Sequence, residues 1–193
     1  MGRVPFVGLT GGIGAGKSEA LEALERLGAA TLSTDAVTHE LLAGDDVRDL
    51  LVERLGPEVA PGGRVDRSAV AARVFGDDEQ TKWLEGLLWP RVGERVARFR
   101  ESVEDAPAAV VEVPLLFESG MEQVFDKTIV VVADEQIRAE RAGARGHELV
   151  EARTARQLSQ DEKARRADFV VRNDGDLADL EAKLSEVLER LSD

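Results

Sequence analysis

The chain has 193 residues, 43% apolar and 33% charged, with a formal net charge of −13 and no cysteine. That length suits one globular domain that buries roughly 70% of its unfolded surface, and the composition lacks the low hydrophobicity of a disordered chain. Disulfides and thiolate chemistry are excluded, the two histidines (His39 and His147) are too few for a histidine-built zinc site, and the acidity argues against a nucleic-acid partner.

The first apolar run, Val4 to Leu9, reads as a buried strand. It is far shorter than a signal segment, and no run approaches the roughly 18 apolar residues of a membrane span, so a soluble cytoplasmic protein with no membrane partner is expected. Directly after it, Gly11-Gly12-Ile13-Gly14-Ala15-Gly16-Lys17-Ser18 satisfies G-x-x-x-x-G-K-[ST] and opens an amphipathic helix. Glycines let consecutive amides turn around phosphate oxygens, and the helix start adds its positive end. Lys17 reaches the β and γ phosphates, while the Ser18 hydroxyl can ligate Mg²⁺. Four fixed positions would match by chance in below about 1% of chains this long, before strand and helix context is required. ATP and Mg²⁺ are therefore the expected ligands.

Ala20, Leu21, Leu24 and Leu27 form the stripe of that helix, with Gly28 as its C-cap, and Ala29 to Leu32 reads as the second strand. Asp35 follows three residues later at the carboxyl edge of the sheet, where open α/β proteins bind ligands. It can orient or deprotonate an attacking hydroxyl, hold Mg²⁺, or simply N-cap a helix beginning near Ala36. From Asp35 to Pro107 the pattern is helical: His39 to Ala43, Val47 to Leu55, Arg67 to Phe75, and Gln80 to Val103, which Pro90 should kink or divide. Trp83 and Trp89 on the last of these read as core residues.

Two more continuous β-branched runs, Ala108 to Val113 and Thr128 to Ala133, precede a helical excursion from Glu135 to Ala167, and Phe169 to Val171 supplies a fifth strand. A closing amphipathic helix carries Leu177, Leu180, Leu184, Val187, Leu188 and Leu191. Strands alternating with helices argue for a parallel sheet. Between Arg138 and Arg166 the local charge reverses: Arg138, Arg141, Arg145, Arg153, Arg156, Lys163, Arg165 and Arg166 stand against five acids. Arg141 and Arg145 lie four apart, a repulsive spacing on a helix unless an anion sits between them, and phosphate is the natural anion.

With these residues in view the chain resembles the dephospho-CoA kinase family over nearly its full length. The resemblance is carried by Val7 to Gly14 entering the P-loop, Asp35, Asp66-Arg67 with Val74-Phe75, Leu84-Glu85 and Pro90. It continues through Pro114-Leu115-Leu116-Phe117-Glu118, Arg141 and Arg145, Arg153 with Gln157, Lys163, Ala167-Asp168, and Asn173 with Gly175. It implies an α/β, three-layer P-loop kinase fold with a parallel five-stranded sheet, an inserted helical acceptor lobe and a helical lid. One domain is implied, with a core at about 1–35, 106–134 and 167–193, a CoA-receiving insertion at about 36–105 and a lid at about 135–166.

The implied reaction moves the ATP γ-phosphoryl group to the ribose 3′-hydroxyl of dephospho-CoA, the last step of coenzyme A synthesis, in a monomer. Asp35, Lys17 and Arg141 would be catalytic. Residues 11–18, Arg145 and Asn173 would hold the nucleotide, and Ser18 and Asp35 the metal. Three positions depart from the family pattern, all on the acceptor side: Ser33 for a further Asp, His39 for an Arg, and Trp89 for a His. Another small-molecule P-loop kinase would share the donor site and differ in acceptor, and a non-catalytic sensor would bind ATP without consuming it. A GTPase switch is disfavoured because neither D-x-x-G nor N-K-x-D occurs.

Overall fold

The computed structural model describes residues 3–143 and 157–192. Arg145, His147, Arg153 and Arg156, and with them the middle of the expected lid, lie outside the described residues. Two compact units result, one from Met1–Ser33 and Arg100–Asp193, the other Thr34–Phe99.

The first unit holds five parallel strands: β1 (Phe6–Gly11), β2 (Ala30–Ser33), β3 (Ala109–Glu112), β4 (Lys127–Val132) and β5 (Phe169–Arg172), in the order β2-β3-β1-β4-β5. Side-chain alternation assigns the two faces of β1. Val7 and Leu9 point to one face, where helices α1 (Lys17–Arg26) and α8 (Leu177–Ser192) bury Leu24, Leu180 and Leu184 against Ile129 and Val131. On the other face Phe6 stacks on Phe125 with centroids 4.8 Å apart, and a Cβ on Gly8 would meet Phe125 at 2.9 Å and Leu116 at 3.1 Å. Gly28, at φ 93°, ends α1 as expected of a left-handed cap.

β1 runs two residues later than the apolar pattern indicated, through glycines that a sequence reading takes for a turn. Its central place explains the shift. Ladders on both sides fix its backbone, and at Gly11 an added Cβ would strike the Val131 carbonyl of β4. The connection leaving β1 runs to β2 on one side, and that leaving β4 runs to β5 on the other. The carboxyl edge beside β1 is thus the place where a ligand crevice opens.

The second unit comprises α2 (Thr34–Ala43), α3 (Asp45–Leu55), α4 (Arg67–Val74) and most of α5 (Asp78–Ser102). Its core is Leu42, Val47, Leu51, Val59, Val70 and Leu88, with Trp83 packed against it. Asp66 caps α4 by accepting the amides of Ser68 and Ala69, and Asp77 does the same for Glu79 and Gln80 at the start of α5. The structure decides three sequence readings here. The helix at residue 34 begins earlier than its polar start indicated, so Asp35 lies inside its first turn and is not its N-cap. Of the two outcomes expected at Pro90, division does not occur: α5 runs through it without a break. Trp89 is 56% exposed instead of buried.

Beyond β4, α6 (Glu135–Gly143) and α7 (Gln160–Arg166) are the described parts of the basic excursion. Among the described residues no helix is long and apolar enough to cross a membrane.

Candidate active site

The loop from Gly12 to Gly16 closes on itself through the Ala15 amide, which donates to the Gly12 carbonyl at 3.2 Å. Gly14 and Gly16 have φ values of 76° and 93°, which an L side chain resists. Space imposes the same choice. A Cβ at Gly16 would collide with the Asn173 amide, and one at Gly14 would sit 2.5 Å from the Arg138 carbonyl. Gly16 is the N-cap of α1 and has no side chain to bond the helix's first amides, so the positive end of the helix meets this loop without a side-chain cap. Lys17 Nζ donates to the carbonyls of Gly11 and Gly12, both at 3.1 Å. The exposed Ser18 stands in the same first turn.

Three residues from the far side of the sheet brace this loop. Asn173, buried after β5, donates its side-chain amide to the Ala15 carbonyl at 3.0 Å, while its backbone amide donates to Val132 at 2.8 Å. Arg141 Nη1 donates to the Asn173 carbonyl at 3.3 Å. Arg138 Nε donates to the Ile13 carbonyl at 3.1 Å. Among the described arginines of α6, then, Arg138 is hydrogen-bonded to the P-loop itself, and Arg141 reaches it through Asn173. Spacing put Arg138 on the right face but gave no reason to choose it over Arg141.

The carboxyl edge also holds a carboxylate that sequence reading passed over. Glu112, buried at the end of β3, accepts from Ser33 Oγ at 2.9 Å. A lone acid ending the apolar run Ala109–Val111 was the available signal. Asp35 lies two residues beyond Ser33, exposed, in the Thr34–Phe99 unit.

Behind the edge, Lys163 of α7 is fully buried, its Nζ donating to the Pro114 carbonyl at 2.8 Å and to Glu118 Oε1 at 3.0 Å. Thr10 Oγ1 donates to the same Pro114 carbonyl, and Glu118 Oε1 also takes the Leu158 amide at 2.8 Å. Gln160 clips the Ala133 backbone at both its amide and its carbonyl. The Pro-Leu-Leu-Phe-Glu segment and the return limb of the excursion are thereby tied together. Burial holds the Lys163 ammonium below its ordinary pKa, opposed by its bond and attraction to Glu118. At Asp168, burial pushes the pKa up but is outweighed by hydrogen bonds from Lys127 and from the side chain and amide of Thr128, so the net shift is downward.

Removing one member of such a pair leaves a buried charge alone. Lys163→Met should cost about 3 kcal/mol in a urea-unfolding measurement, and Lys163→Met/Glu118→Gln should recover most of it while keeping the acceptor for the Leu158 amide. A single variant as stable as the parent would show that the pair contributes nothing.

Residues 5–179 match the family model described as dephospho-CoA kinase. The chain belongs to the dephospho-CoA kinase family. A dephospho-CoA kinase of Deinococcus radiodurans is 42% identical across 96% of this chain and 91% of its own length. A crystal structure from Thermus thermophilus, TT1252, superposes with a TM-score of 0.84 at 36% identity, covering 100% of both chains. The dephospho-CoA kinase of Campylobacter jejuni superposes with a TM-score of 0.66 at 25% identity, over 99% of each chain. The fold and activity class expected of the family are those of a phosphotransferase with an alcohol acceptor.

Proposed function

We propose that the chain transfers the γ-phosphoryl group of ATP to the ribose 3′-hydroxyl of dephospho-CoA, yielding CoA and ADP, as a cytoplasmic monomer acting on small molecules. The observation that carries this reading is the braced loop of residues 11–18 at the start of α1, with Lys17 Nζ bonded to the Gly11 and Gly12 carbonyls, in a chain of this family.

Phosphoryl transfer asks the protein mainly for positioning and for positive charge where negative charge gathers. The amides of residues 14–18 would hold the β-phosphate. Lys17 would leave its two carbonyls for the β and γ oxygens. Arg141 and Arg145 would meet the charge on the transferring group, and Asn173 would keep the loop in shape. Asp35 would receive the proton of the 3′-hydroxyl or orient it.

The Ser18 hydroxyl and the Asp35 carboxylate are hard oxygen donors that fit Mg²⁺, an ion that keeps several waters and substrate phosphates and needs only one or two protein ligands. Bound there, it would neutralise charge across the β and γ oxygens. The Thr34–Phe99 unit would receive the acceptor.

The test is direct: supply ATP, Mg²⁺ and dephospho-CoA and follow CoA by chromatography. CoA formation with stoichiometric ADP is expected. ADP without CoA, or phosphorylation of a different acceptor, would overturn the acceptor assignment.

A further inference from the structure

The Thr34–Phe99 unit contains a cavity of about 410 Å³ lined by His39, Arg48, Arg64 and Arg67 together with Leu42, Ala43, Gly63 and Val65. Its lining has no carboxylate, although residues 34–99 hold thirteen acids against nine basic side chains. Guanidinium groups gathered around one small cavity repel one another unless carboxylates or an anion neutralise them.

Their partners differ. Arg48 is already neutralised: it bonds Asp45 Oδ1 at 2.5 Å and Asp49 Oδ1 at 2.7 Å, and reaches the Gly63 carbonyl at 3.4 Å, which fixes it as a wall. Arg67 bonds only the His39 imidazole, and no carboxylate among the described residues pairs with Arg64 or Arg67. Asp66, the nearest acid in sequence, is committed to the Ser68 and Ala69 amides that would otherwise compete for an anion. Gly62 and Gly63, with φ values of 65° and 78° and open space where a Cβ would be, turn the chain so that Arg64 joins the cavity.

We propose that this cavity binds the diphosphate bridge of the acceptor, with Arg64 and Arg67 as the side chains that hold its two negative charges. The inference rests on dephospho-CoA being the acceptor. That molecule carries a diphosphate diester between an adenosine and a pantetheine arm, and the cavity offers two forked cations of matching charge beside apolar flanks. Its volume suits part of a small ligand, and the chain's overall charge of −13 disfavours a nucleic-acid backbone.

The experiment compares the parent with Arg64→Gln/Arg67→Gln, whose altered side chains are exposed, with the thermal midpoint as a control on folding. Kinetics are read against each substrate, and dephospho-CoA binding is measured by calorimetry with ADP occupying the nucleotide site. Each charge-assisted contact is worth roughly tenfold. The double variant should therefore raise KM for dephospho-CoA and weaken its calorimetric affinity by at least about 30-fold, with KM for ATP within about twofold. Arg64→Lys/Arg67→Lys should restore part of the loss, because it keeps charge and loses the fork.

A KM for dephospho-CoA within about threefold of the parent, or equal rises for both substrates, overturns the proposal. So does a parent that fails to bind dephospho-CoA. A parent that binds it without phosphorylating it refutes the function reading alone, and the calorimetric comparison still decides this one.

Discussion

Lys17→Ala is expected to lower kcat for CoA formation by about 10³-fold, the upper end of what one donor to transition-state charge supplies, with a smaller change in KM for ATP. Lys17 Nζ donates to the Gly11 and Gly12 carbonyls, both at 3.1 Å. An incoming triphosphate offers charged oxygens instead, so the ammonium moves a short way and gains a stronger pair of bonds. Its attraction grows further as charge spreads over the transferring group, which is why the loss belongs chiefly in kcat. Lys17→Arg should not restore activity, since a planar fork cannot replace a compact ammonium between two phosphates. Steady-state kinetics with a separate ATP-binding measurement checks this, and a kcat within tenfold of the parent refutes the assignment.

Asp35→Asn should reduce kcat by about 10²-fold while ATP still binds. The side chain is exposed in the first turn of α2, whose Val37 is buried in the opposite direction, so the substitution should leave the helix in place. Because Asp35 is not the N-cap of that helix, a loss of activity cannot be put down to a frayed helix start. Raising Mg²⁺ separates the two chemical roles. Recovery at high Mg²⁺ marks a metal-holding carboxylate, an unchanged deficit marks a base, and near-parent activity at ordinary Mg²⁺ excludes both.

The donor loop was legible in the sequence because phosphate binding fixes residue types at short, rigid spacing, and Gly11 to Ser18 sit within a single turn of chain. The five strands were legible for a different reason: helices on both faces demand continuous apolar runs, and Ala109–Val111 or Thr128–Val132 admits few other readings. What escaped was tertiary. That Gly11 belongs inside β1 depends on its pairing with β4 and the close approach of the Val131 carbonyl, over a hundred residues away in sequence. Arg138 was indistinguishable from Arg141 by period, and only the approach of α6 to the loop separates them. Lys163 was counted among the basic residues of the excursion, and only the structure shows it buried against Glu118. The expected partner of Arg141, Arg145, lies outside the described residues.

The placement of the two tryptophans has an optical consequence. The chain has no tyrosine, and Trp83 and Trp89 both lie on α5 within the Thr34–Phe99 unit, one half-buried beneath the Arg54 guanidinium and the other open to water. Intrinsic fluorescence therefore originates wholly in the unit that carries the arginine-lined cavity, and none of it in the unit that carries the P-loop. Acceptor titrations can be followed without a label, with Trp89 as the solvent-sensitive emitter. A change in emission on adding ATP alone would be a message received from the other unit.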